Sequence, residues 1–477
     1  MTAYYAGGAK RYIAKSTPDK GNVANRGTYS PVTIPESGSG VTSGIGFSGV
    51  NVLDGTLVLD GVSGAQVSDN NQYSVIGGNY SNGTANAVLH VKHISFTSGQ
   101  HDNYTIIGSF PPEGAMDHPK AVVTDGATWE VGELALGAGY TGRTTPYYPT
   151  LAVTNAEVKC NAALHFGSHR WCHAPCIHPV VRIGPGGKVG QYKNGYPNVF
   201  RISRNVDVLV DGGELYDYGG VTLGGGELAN KSCIGMGANN NYSGDLKFVN
   251  GGKFTVCKIN SGVTLADKSL MTDFIFDGGV LKLKNTATSY VADPANVKVT
   301  TCGAGMEVQV ASGITHQFAI PITGAGGVVK TGAGTLVLTN RAEDVLTTVV
   351  AFSGPLTVSE GVVDFCGADL SSVGAVSGAG TVRNATGIKA LAAVKDATAD
   401  TLTTFEDAAF ATRVKVDFSG STWTKGETVP VLKIGSGAMP NLKAVNVGDK
   451  LSASFAVVEG VVWATVCDAP GLMLLVR

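Results

Sequence analysis

The sequence predicts an all-β chain: a right-handed parallel β-helix with a small C-terminal antiparallel β-domain. Three observations predict it. Long 3.6-residue periodicity is scarce, while short runs rich in Val, Leu, Ile, Phe and Thr recur between Gly, Asn and Asp. Glycine corners return at a period near thirty residues. Glycine takes 66 of 477 positions and charged residues only 15%, against roughly 25% charged in ordinary soluble domains.

Residues 1–45 read as an N-terminal extension or cap, 46–385 as the β-helix and 386–477 as the C-terminal β-domain. Within the β-helix, "VTDGATWEV", "VTNAEVKC", "IGPGGKVG", "VDGGELYD", "VNGGKFTV" and "FDGGVLKL" share a corner, with turn residues at Gly126, Ala156, Gly186, Gly212, Gly251 and Gly278. Asn, Asp and Gly suit such corners because they tolerate positive φ. A second series, "SVIGG", "TIIGS", "LALGA" and "LHFGS", places Gly77, Gly108, Gly137 and Gly167 at steps of 31, 29 and 30. Each of these glycines opens a polar loop that closes into another apolar run. One such unit cannot bury its apolar face alone, whereas stacked coils can. Short glycine-bounded strands also occur in sandwiches and propellers, but the thirty-residue period favours the solenoid.

The formal net charge of −2 gives no reason to expect a nucleic-acid partner or an anionic membrane surface. No run of 18 apolar residues occurs, so no transmembrane helix is expected. The first twenty residues lack the apolar region of a signal peptide. Such a start fits a cytoplasmic chain, a chain numbered after a removed leader, or a piece of a longer one. The eight cysteines form no tight framework.

"GAGGVVKTGAGTLVLTN" at 324–340, followed by "FSGPLTVSEGVVDF" at 352–365, resembles the autotransporter-associated β-strand repeat of bacterial surface and secreted passenger proteins. "GAVSGAGTVRNATG" at 374–387 reads as a degraded further copy. The resemblance implies a parallel β-helix and export to the cell exterior, and it carries no catalytic residues. The terminal "GLMLLVR" lacks the final aromatic of outer-membrane barrels. Beyond the repeat, Val414, Val416 and Phe418 alternate with Lys415 and Asp417 as in a half-buried strand. Further short strands after it make the C-terminal antiparallel domain, expected to cover the open end of the stack.

Chemistry concentrates in "HFGSHRWCHAPCIHP", residues 165–179. This is the fourth loop of the glycine series. If the coils stack, the four loops share one edge, which would present Tyr80, Glu113, Asp117, His118, Tyr140, Arg143, Tyr147, Tyr148, His169, Arg170, Trp171, His173 and His178. Loops on a rigid scaffold are where binding sites are usually built. Three readings compete. In a ligand-binding edge, Tyr80, Tyr140, Tyr147, Tyr148 and Trp171 stack on sugar or peptide faces while Arg143, His169 and Arg170 donate hydrogen bonds. In a zinc site, His169, Cys172, His173, Cys176 and His178 supply nitrogen and sulfur ligands, though their spacing matches no recognised pattern. In the bland reading, Cys172 and Cys176 pair or pack locally and the histidines are solvated. His165, between Leu164 and Phe166, is expected to point away from the core.

Enzymes of this shape use carboxylate pairs or a calcium cluster. Asn205-Val206-Asp207 and Arg413-Val414-Lys415 fit parts of the polygalacturonase pattern, but no Asp-Asp pair and no Gly-His-Gly occurs. Arg201, Arg204, Asp207, Asp211, Glu214 and Asp217 cluster in sequence as a lyase site would, yet Asp211 and Glu214 sit at a corner. The leading expectation is an extracellular structural or adhesive bacterial protein whose loop-lined edge binds a cell-surface partner such as a glycan. The alternatives are a polysaccharide lyase or hydrolase, a phage-type spike, and a self-assembling fibre or surface-layer subunit.

Overall fold

A computed structural model describes residues 88–98, 104–109, 118–138, 147–167, 177–192, 199–202, 205–217, 221–223, 244–261, 272–291, 297–339, 350–436 and 438–469, with short strands between residues 11 and 76. The fold is a parallel β-solenoid of about nine turns. Among the described residues, the 3-10 turn Ala399–Thr401 is the one helical element. No described helix is long and apolar enough to cross a membrane. The chain divides into two compact units, residues 1–275 with 290–297, and residues 276–289 with 298–477.

In the first unit each coil feeds three parallel ladders. Lys120–Thr124 pairs with Val88–Lys92 before it and with Thr150–Val153 after it. The long strands Thr128–Ala138 and Glu157–Phe166 serve the second and third ladders in turn. Register turns the sequence alternation into columns. Leu89, Ala121, Leu151, Val181, Val208 and Leu246 form one buried column; Val91, Val123, Val153, Ile183, Val210 and Phe248 form another. In the second ladder Phe96, Trp129, Val158, Val189, Leu215 and Phe254 fill the interior. Burying each such side chain contributes about 1.5–3 kcal/mol. On the outside of that ladder Glu157, Lys188, Glu214 and Lys253 lie directly opposite one another in succession. Opposite charges thus face one another from coil to coil, while Glu157 makes its ion pair with Lys159 of its own strand, at 3.1 Å.

The corners stack as the spacing predicts, with one adjustment. Gly126, Gly186, Gly212 and Gly251 all have positive φ. The pairing of Thr128 with Glu157 puts Asn155, not Ala156, in the equivalent place. Its φ is +46, a conformation asparagine adopts more readily than alanine.

In the second unit the repeat-like segment forms two successive coils. Val328–Thr331 pairs in parallel with Leu356–Val358, and Thr335–Leu338 with Val362–Asp364. The first ladder of this unit ends at Val350–Phe352, after which each coil contributes two strands instead of three. Parallel pairing reaches well into the C-terminal region: Phe410–Asp417, which carries Val414 and Val416 and ends just before Phe418, pairs in parallel with both Ile388–Ala392 and Leu442–Val445. The antiparallel part consists of Val461–Asp468 against Thr428–Ile434 and against Leu451–Val458.

Two buried polar side chains in this unit were not singled out by the sequence. Lys330 occupies an inward position between buried Val328 and the corner. Its ammonium donates to the carbonyls of Thr331 at 3.0 Å, Gly332 at 2.5 Å and Glu360 at 3.1 Å. Burial pushes its pKa from 10.5 down to about 8, against the pull of the Glu360 carboxylate. The folded state therefore releases this proton before the unfolded chain does, and stability rises with pH between about 8 and 10.5. Thermal unfolding of the wild type should show this rise, and Lys330→Met should lack it. Parallel pH profiles for the two proteins would contradict the assignment. His316 is also buried, with Nδ1 donating to Asn285 O and Nε2 accepting from Ser289 Oγ. Burial lowers its pKa, the Asn285 carbonyl opposing.

Candidate functional site

The loop edge is built by where the chain leaves and re-enters the ladders. It leaves at the glycines. Ile107 pairs with Leu136, and Leu136 with Phe166, so Gly108, Gly137 and Gly167 follow in register. All three have φ between +80 and +86. This shared left-handed turn takes the chain out of the third ladder at the same place in successive coils. It re-enters at His118-Pro119, Tyr148-Pro149 and His178-Pro179. The residue before a proline is held extended. Proline at a strand start forfeits no ladder donor that the strand needs. Its carbonyl still accepts: Pro119 from Thr150 N at 2.8 Å, and Pro149 from Val180 N at 2.9 Å.

Strand alternation then divides the re-entry residues. Tyr147 and Ile177 bridge in parallel and point inward, both fully buried. Tyr148 and His178, one residue on, are half-buried, and His118 is exposed. The structure therefore places Tyr147, expected on the binding edge, in the core, where alternation sends every second residue. Tyr148 and His178 are on the outside as expected. His118, Tyr148 and His178 form a continuous stack. The centroids of His118 and Tyr148 are 5.1 Å apart with planes 13° from parallel, and Tyr148 and His178 follow at 5.2 Å and 31°. The ring spacing is close to the strand separation of a parallel ladder.

This geometry changes what the aromatics can do. The Tyr148 ring has an imidazole on each face, so a sugar cannot lie against it. The stack offers its edges instead: the Tyr148 hydroxyl and the ring nitrogens of two histidines, one per coil. Burial lowers the pKa of His178, so near neutral pH it presents one donor and one acceptor nitrogen.

The other candidates divide in the same way. Tyr80, Tyr140, Arg143, His169, Arg170, Trp171, Cys172, His173 and Cys176 lie outside the described residues. Of the five residues considered for zinc, the structure describes His178 alone. Among the described residues no group of three or more His, Cys, Asp and Glu could hold a metal ion. His165 does face the opposite way from Leu164 and Phe166, yet it is buried, with Nε2 at 2.9 Å from Glu133 Oε1. Sequence reasoning passed over Glu133: half-buried Glu130, three residues earlier on the same strand, shows that a glutamate there need not be buried. Cys160 is buried too, and burial, then the Glu133 charge, raises its thiol pKa, which leaves it a poor nucleophile.

The acidic run at 207–217 does not converge on a common centre. Asp207 pairs with Arg182, Asp211 accepts from Asn250 Nδ2 at 2.9 Å, Glu214 accepts from Thr255 Oγ1 at 2.5 Å, and buried Asp217 accepts from Cys257 N at 3.1 Å. Each carboxylate ties its strand or corner to an adjacent coil. Compared with known proteins, the chain matches no family model, no curated protein and no solved structure.

Proposed function

We propose that this chain is an extracellular structural or adhesive β-helix protein that binds a surface partner, a glycan, along the loop edge. The observation that carries the reading is the single column His118–Tyr148–His178, set where three successive coils return from their loops. Such a column repeats a hydrogen-bonding group at about the coil spacing, which suits a ligand with its own repeating hydroxyls. The resemblance of residues 324–365 to a passenger-protein repeat supports the surface location.

Binding to a panel of immobilised polysaccharides tests the proposal. Tyr148→Phe keeps the ring stack and removes the hydroxyl. It should weaken glycan binding about tenfold, the effect of one lost hydrogen bond worth about 1–1.5 kcal/mol. A wild-type protein that binds nothing on the panel, or a Phe variant that binds as well as the wild type, would refute it.

A further inference from the structure

At the end of the second unit the third ladder continues as Thr404–Glu406, Thr428–Ile434, Val461–Asp468 and Leu451–Val458. The last two strands form a hairpin closed by Glu459 and Gly460, both at positive φ as a two-residue turn requires. A hairpin does not remove an edge; it moves the edge outward by two strands. Among the described residues Leu451–Val458 pairs with Val461–Asp468 alone.

That outer strand lacks the usual protection. It reads LSASFAVV, eight residues with no charge and no proline, whereas edges are normally guarded by Lys, Pro or a bulge. The strand Leu442–Val445, which ends the second ladder, carries exposed Lys443. The apolar face also runs past its cover. Ala453, Phe455 and Val457 pair with Val466, Ala464 and Val462, which are buried to within 1%. Yet Val457 is 43% exposed and its neighbour Val458 is 56% exposed.

We propose that Leu451–Val458 is an assembly edge, on which a second copy of this chain pairs its own Leu451–Val458 in antiparallel orientation. Charge selects both the occupant and the direction. The strand is neutral, so two copies bring no like charges face to face. Lys450 and Glu459 flank it at opposite ends. Antiparallel pairing about the middle of the strand brings Lys450 of each copy near Glu459 of the other. Parallel pairing would set Lys450 beside Lys450 and Glu459 beside Glu459. A two-fold contact of this kind uses the same edge from both copies and closes at two.

The test is sedimentation and light scattering of the full 477-residue chain from low to high micromolar concentration. The mass should move from 48.9 kDa toward twice that value. Ala456→Lys with Val458→Lys should hold the protein at the monomer mass with an unchanged circular dichroism spectrum. Lys450→Glu or Glu459→Lys alone should weaken association, and the two together should restore it, which separates charge pairing from misfolding. A wild-type monomer at every concentration overturns the proposal. So do Lys variants that associate like the wild type, and growth beyond two copies. Glycan binding by the edge variants should be unchanged, so failure here leaves the loop-edge reading to its own test.

Discussion

Replacing Phe254 by alanine should lower the unfolding free energy by about 3–5 kcal/mol, the usual effect of deleting a large buried aromatic. Phe254 is fully buried between two rings, with Phe248 at 5.0 Å and Phe274 at 5.6 Å, both within 20° of parallel. Truncation leaves a gap between rigid neighbours on successive strands. The backbone cannot close it without breaking the register that pairs Leu215 with Phe254. Phe254→Leu should recover most of the loss because it refills the space with an apolar group. The damage should also be local. Coils contact mainly their neighbours, so each opens against its own interfaces. Amide exchange should therefore quicken first in Glu214–Tyr216, Lys253–Val256 and Thr272–Asp277. A cost below about 1 kcal/mol would show that the aromatic stack is not packed as described.

Gly137→Ala should cost about 2–5 kcal/mol, summing a positive-φ penalty of 1–2 and an overpacking penalty of 1–3. At φ +86 a side chain is strained, and its Cβ would fall 2.3 Å from Ile177 Cγ2. Ile177 is β-branched, buried and bridged to Tyr147, so it cannot swing aside. Gly126→Ala is the control. Its φ is +74 but nothing lies within 4 Å of the added carbon, so it should show the backbone penalty alone. Urea midpoints of the two variants separate the terms; equal losses would mean that the Ile177 contact carries no weight. Because Gly137 starts a loop of the edge, its variant should also weaken any ligand that the edge binds, while the Gly126 variant should not.

Much of the fold was legible in the sequence because a solenoid writes its geometry as a period. Spacing near thirty residues, with left-handed corner residues at each return, is enough to stack Gly108, Gly137 and Gly167 on paper. The candidate site was legible only in part. The edge could be located, but the inward or outward sense of adjacent Tyr147 and Tyr148 depends on strand phase at Pro149. Two neighbouring tyrosines look alike until the register is known. The ring stack was equally hidden, since His118, Tyr148 and His178 lie thirty residues apart and meet only through the pitch of the coil. Lys330 stood inside an apolar run, but its carbonyl partners come from a corner and from the next coil.

The C-terminal region shows the same boundary. Alternation in Val414, Val416 and Phe418 determines that a strand forms with one buried face, and local residues are enough for that. Whether the strand pairs in parallel or antiparallel is decided by hydrogen-bond partners far along the chain, and both choices bury the same face. The sequence alone therefore determined the coil, its corners and its apolar alternation, because these follow from local φ preference and burial. The tertiary structure alone decided which rings stack, which tyrosine faces solvent and which strand ends the sheet. Those outcomes depend on register between segments that no local interaction can set.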